Sequence, residues 1–129
     1  MASTITLTMV DGVRIVVPNS LNLITPYVLM EQEDWFEDEI KFLRRMLQPG
    51  QQVIDIGANY GAYTLSMANA VGPTGCVWAV EPASSTARFL ADGTDANDFS
   101  GRELKPVVAV SRAAWPNRNR VNCAIREQF

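Results

Sequence analysis

The sequence predicts an α/β fold: part of a doubly wound parallel sheet, preceded by an N-terminal β-hairpin and a helix. Three observations lead there. Short apolar runs recur at 53–56, 77–80 and 107–110, each suited to a strand buried on both faces. Stretches with helical character separate them, and strand–helix–strand with apolar strands gives a right-handed parallel crossover. The Asp11-Gly12 pair sits between two strand-like runs, the pattern of a tight hairpin.

Taken in order, residues 4–10 and 13–17 read as the two hairpin strands, stopped by Pro18-Asn19-Ser20. A supporting hairpin is favoured over a direct chemical role. Residues 21–33 are ambiguous: Pro26 is expected to break a helix there, and Tyr27 to Met30 fits a short helix or an extended piece. From Asp34 the pattern is helical, with Phe36, Ile40, Leu43 and Leu47 on one face. Glu37, Asp38 and Glu39 near its start and Arg44 and Arg45 near its end complement the helix dipole. The acids of 31–39 match no metal-ligand spacing and read as a solvated helix start. Pro49-Gly50 ends this element, and strand 53–56 follows. The next helix runs from about Gly61 to Val71 with Leu65, Ala68 and Val71 on its apolar side, and Gly72-Pro73 closes it. Strand 77–80 stops at Glu81-Pro82, where proline prevents further ladder pairing. A helix capped by Ser84 or Ser85 extends to about Asn97, weakened by Gly93 and Thr94, before the third strand.

Composition narrows the chemistry. The 129 residues suffice for a single core, and no run of about 18 apolar residues suggests a membrane span. No basic, apolar leader opens the chain, and Cys76 and Cys123 lack metal or redox spacing, so a reducing cytoplasm is expected. There is no histidine, which excludes a histidine triad, ligand or base, and no metal site is expected. The net charge of −3 is uneven: residues 1–100 carry 5 Lys/Arg against 12 Asp/Glu, and residues 101–129 carry 6 against 2.

The chemistry concentrates at Val53-Ile54-Asp55-Ile56-Gly57-Ala58-Asn59-Tyr60-Gly61. Strand, glycine turn and helix start form a nucleotide-type pocket, where backbone N–H groups are expected to face a ligand. Asp55 ends the first strand, and Glu81 ends the next, 26 residues later. A strand-end acid is either an ordinary surface group or a ribose acceptor. The apolar strand before Glu81 and the glycine turn before that favour ligand contact. The glycine spacing is not G-x-G-x-x-G, since Asn59 stands where a second close glycine would be, and the turn has no P-loop lysine. An acid at the strand end repels a pyrophosphate and suits a cationic amine, which favours S-adenosylmethionine over NAD.

These residues resemble motif I of the FkbM-type S-adenosylmethionine-dependent methyltransferases, D-[IV]-G-A-N-x-G-x-[YF]-[TS], continued here by Ala62, Tyr63 and Thr64. Leu47 to Val53, Val80-Glu81-Pro82 and Val108 to Ser111 are also similar to that family. The resemblance implies a Rossmann-like, class I methyltransferase fold and O-methylation of a small-molecule or sugar hydroxyl. It implies that Gly57, Ala58, Asn59 and Gly61 line the methionine side, that Asp55 supports the loop and amine end, and that Glu81 holds the ribose. With Tyr60, these form the expected donor-binding set, while the catalytic base is not identified.

After Ser111 the sequence leaves the family pattern. The expected organisation is therefore an N-terminal hairpin and helix over 1–48, a partial donor-binding domain over 49–111, and a divergent basic tail over 112–129. Six scattered positive residues without interleaved aromatics do not suggest nucleic-acid binding. Without further strands the first strand would be a bare apolar edge, so self-association is expected there. The alternatives are an NAD-type oxidoreductase fragment, disfavoured by the glycine spacing, and a non-catalytic fragment that needs a partner chain.

Overall fold

A computed structural model describes residues 3–97. The hairpin pairs β1 (Thr4–Thr8) with β2 (Arg14–Pro18), antiparallel and in register from Thr4 opposite Pro18 to Thr8 opposite Arg14. Its connection is one residue longer than a two-residue turn. The Met9 N–H donates to Val13 C=O at 2.8 Å, the Gly12 N–H donates to Met9 C=O at 2.8 Å, and Gly12 takes φ +81°. This is the three-residue hairpin loop that needs a left-handed residue at its last position.

Helix α1 (Ile24–Gln32) forms across Pro26, against expectation. Pro26 is its third residue, where the backbone N–H would have no intrahelical partner, so the ring costs no helical hydrogen bond. Helix α2 (Asp38–Met46) starts later than Asp34. The side chains of Asp34 and Glu37 are bonded to Arg44 and Tyr63, and these tertiary bonds hold residues 33–37 outside the helix. Phe36 consequently leaves the expected apolar face and is exposed, while Ile40 is fully buried and Leu43 and Leu47 pack on α3 (Ala62–Val71).

Strands β3 (Gln52–Ile56) and β4 (Cys76–Val80) pair in parallel, with Asp55 opposite Ala79 and Ile56 opposite Val80. Helix α3 crosses between them as the apolar patterning predicts, giving an α/β unit with a small parallel sheet and four helices. Burial on both faces does not hold for β3. Ile54 and Ile56 are 68% and 80% exposed, because only one face of this sheet is covered by described elements. The third expected strand, 107–110, and the basic tail lie outside the described residues.

Helix α4 (Ser84–Ala96) is capped at Ala83, not at a serine. The missing serine cap is replaced by Glu81, whose Oε1 accepts the Ala83 N–H at 2.8 Å. Gly93, which weakens the helix intrinsically, permits a close fit: an added Cβ would lie 3.0 Å from Leu65 and 3.6 Å from the Val16 nitrogen. Asn97 then closes the helix against the hairpin. Its side-chain amide donates to Arg14 C=O at 2.6 Å and accepts the Arg14 N–H at 2.8 Å. A strand edge that would otherwise lack a partner is satisfied by a side chain.

One cluster joins Ile15 and Val17 of the hairpin, Leu29 of α1, Leu65 of α3, Ala79 of β4 and Leu90 of α4. The hairpin is thus part of the core that holds the glycine turn in place. Each fully buried aliphatic side chain contributes about 1.5–3 kcal/mol.

Candidate functional site

The turn from β3 into α3 is fixed from below. Gly57 has φ +83°, Asn59 φ +53° and Gly61 φ +97°. Asparagine is one of the few side chains that tolerates this region, which accounts for its place between the glycines. Two N–H groups of the turn, from Gly57 and Ala58, donate to the Val80 carbonyl at 2.8 and 3.0 Å. A third, from Asn59, donates to Glu81 Oε2 at 2.7 Å. These donors are bound to β4 and its end, so they do not face a ligand as the strand–turn–helix pattern suggested.

Above the turn lies a cavity of about 150 Å³. Asp55, Gly57, Ala58, Asn59 and Tyr60 supply its floor. Glu81 and Gly61 do not line it. Glu81 is buried behind the turn, where its two oxygens accept N–H groups from Asn59 and Ala83. Gly61 is buried against α4, and a Cβ there would collide with Leu90 Cδ1. By contrast, no described residue beyond its chain neighbours lies within 4 Å of where a Gly57 Cβ would stand, so that position is open among the described residues.

The rest of the lining includes Thr25 of α1 and Trp35 and Glu37 of the α1–α2 connection, which carry no motif in the sequence, and Tyr63 of α3, which lies within the motif I stretch. Tyr63 Oη donates to Glu37 Oε2 at 2.6 Å, and the Trp35 indole N–H donates to the same oxygen at 2.8 Å. Oε1 of Glu37 has no hydrogen-bond partner among the described residues. The Tyr63 and then the Trp35 bonds hold the Glu37 carboxyl below its usual range against a smaller opposing effect of burial. Burial, reinforced by Glu37, pushes the Tyr63 hydroxyl up.

Asp55 behaves differently. Its Oδ2 accepts the hydroxyl of Thr64, which is fully buried. Burial raises its carboxyl above the usual range, the Thr64 bond partly offsets that, and the Glu81 charge adds to the rise. Asp55 thus ties β3 to the first turn of α3. Among the described residues the cavity lining therefore has two carboxylates, three aromatic side chains and no Lys or Arg. Such walls attract a cation, by charge and by ring quadrupole, and repel a phosphate. Among the described residues no group of His, Cys, Asp and Glu has the arrangement of a metal site, and no helix is long and apolar enough to cross a membrane.

No family model and no curated protein matches the chain. Among solved structures it is similar to an SAM-dependent O-methyltransferase from Thermotoga maritima, with 23% sequence identity and a TM-score of 0.45. The similarity covers 77% of this chain and 37% of that protein, so this chain spans well under half of its length.

Proposed function

We propose that the chain is the donor-binding part of an FkbM-like methyltransferase, taking S-adenosylmethionine at the β3–α3 turn and serving O-methylation of a small-molecule or sugar hydroxyl. The observation that carries this reading is the cavity lining, with Asp55, Glu37, Trp35, Tyr60 and Tyr63 present and no cationic side chain among the described residues. A sulfonium and an ammonium group suit that lining. A dinucleotide pyrophosphate does not, because the turn's Gly57, Ala58 and Asn59 N–H groups are already bonded internally.

The volume of about 150 Å³ lies below the roughly 300–1,000 Å³ of pockets for drug-sized ligands. A cavity of that size holds only part of the donor, and its lining favours the ammonium and sulfonium groups, which leaves the donor's carboxylate and nucleoside to the open side beside Gly57. Glu81 lies outside the cavity lining with its two oxygens on the Asn59 and Ala83 N–H groups, so its part in this reading is to fix the turn on which the donor rests. When bound, the donor supplies an activated methyl group. The chain's part is to orient it, and orientation can supply much of the rate of such a displacement. Titration calorimetry with S-adenosylmethionine and with NAD tests the reading. Saturable heat is expected with the first alone, and saturable heat with NAD alone would replace this proposal with an oxidoreductase fragment.

A further inference from the structure

We infer that Glu37, on the connection between α1 and α2, is the carboxylate that selects the ligand's ammonium group, with Trp35 and Tyr63 as the residues that position it. The inference rests on the donor-binding reading above and specifies which atom of the site reads the ligand's charge.

Two carboxylates line the cavity, and their surroundings divide the work. Asp55 spends an oxygen on the buried hydroxyl of Thr64, a bond that joins β3 to α3, and its carboxyl is raised by burial. A group in that setting holds the scaffold, and its charge is poorly supported. Glu37 is held by two donors on the same oxygen, the Tyr63 hydroxyl at 2.6 Å and the Trp35 indole at 2.8 Å, which fixes the carboxylate and leaves Oε1 without a hydrogen-bond partner among the described residues. Those donors stabilise the ionised form, so Glu37 stays charged and is a poor proton acceptor. That suits a fixed anchor for a cation and disfavours a role as general base. The rings of Trp35 and Tyr63 border the same cavity and add faces on which a cation can rest.

The wall that carries Glu37 is itself fixed from outside the cavity. Asp34, its neighbour in the connection, accepts both terminal nitrogens of Arg44 at 2.7 Å, and Arg44 also donates to Ser66 of α3 at 3.1 Å. Glu37 therefore sits on a connection bolted to α2 and α3, with little freedom to swing out.

The test uses the full chain and three adenosyl ligands: S-adenosylmethionine, S-adenosylhomocysteine, which keeps the ammonium and loses the sulfonium charge, and methylthioadenosine, which has neither. The near-isosteric variant Glu37→Gln is expected to lose roughly 10- to 150-fold in affinity for the first two and to keep its affinity for the third. Tyr63→Phe, which keeps the carboxylate, is expected to lose several-fold less than Glu37→Gln for the first two. Equal losses on all three ligands, or none on any, would overturn the assignment of Glu37 while leaving donor binding intact. A wild-type chain that binds none of them would instead remove the donor-binding reading, and this inference with it.

Discussion

Gly57 and Gly61 lie four residues apart in one motif, yet the structure asks different things of them. At Gly57 only the left-handed backbone requires glycine, since no described residue crowds the missing Cβ. Gly57→Ala is expected to cost about 1–2 kcal/mol of stability and to weaken donor binding more than that, by filling the open side of the cavity. At Gly61 the same backbone penalty is joined by a collision with Leu90, worth a further ~1–3 kcal/mol. Urea denaturation of the two variants should rank Gly61→Ala as much the less stable. Asp55 gives a pH-dependent test. Its folded-state pKa is raised, so the folded protein holds the proton more tightly than the unfolded chain, and stability falls as pH rises from the ordinary aspartate value of 3.8 through the raised one. Asp55→Asn removes that loss. It should melt higher than wild type at neutral pH, with the advantage shrinking in acid below that value. An advantage independent of pH would mean burial is not what raises the Asp55 carboxyl. Local spacing places the glycines and the two strand-end acids around the turn, but it does not reveal that Gly61 and Glu81 lie off the cavity. Glu37 was not legible in the sequence, since its partner Tyr63 is 26 residues away and only the fold joins them.

Among the elements, the connection from α1 to α2 departs most from what periodicity implies. The helical pattern starts at Asp34 and puts Phe36 on its apolar face, but the helix begins at Asp38. Arg44 shows why. It reads as a charge complementing the end of α2, and it also carries the bidentate bond to Asp34 and an ion pair to Asp11 in the hairpin loop. Its Nε lies 3.0 Å from Asp11 Oδ2 without the alignment of a hydrogen bond. All three side chains are 13–14% exposed, so the cluster is largely desolvated. Arg44→Met would leave two acids facing a site without a cation. A loss of about 2–3 kcal/mol is expected, below the ~3–5 kcal/mol of a fully buried pair, together with weaker donor binding as the Glu37 wall loosens. Stability equal to wild type in thermal melts would show that the cluster is not structural. Proline offers the same lesson: Pro26 reads as a breaker, yet it stands in the first turn of α1, where a helix accepts it.

At the scale of the molecule, apolar runs correctly announced a parallel β3–β4 pair around α3. They misjudged the second face, because a run of apolar residues does not reveal whether anything covers it. Ile54, Ile56 and Trp78 are exposed on the parallel sheet. Concentration-dependent association is expected in light scattering, and Ile56→Lys should reduce it; a wild-type chain monomeric at high concentration would refute this. The hairpin's role in the core was equally hidden, since a β-hairpin signal says how two strands pair and not what they pack against. The cavity depends on all of these parts, with its floor from the β3–α3 turn and its far wall from the α1–α2 connection. Amide chemical shifts of the isotope-labelled chain titrated with S-adenosylmethionine therefore test the account most directly. Saturable shifts are predicted at Gly57, Ala58, Asn59 and Tyr60 and at the Trp35 indole N–H. A spectrum unchanged at those positions, or changed only on the exposed sheet face, would contradict it.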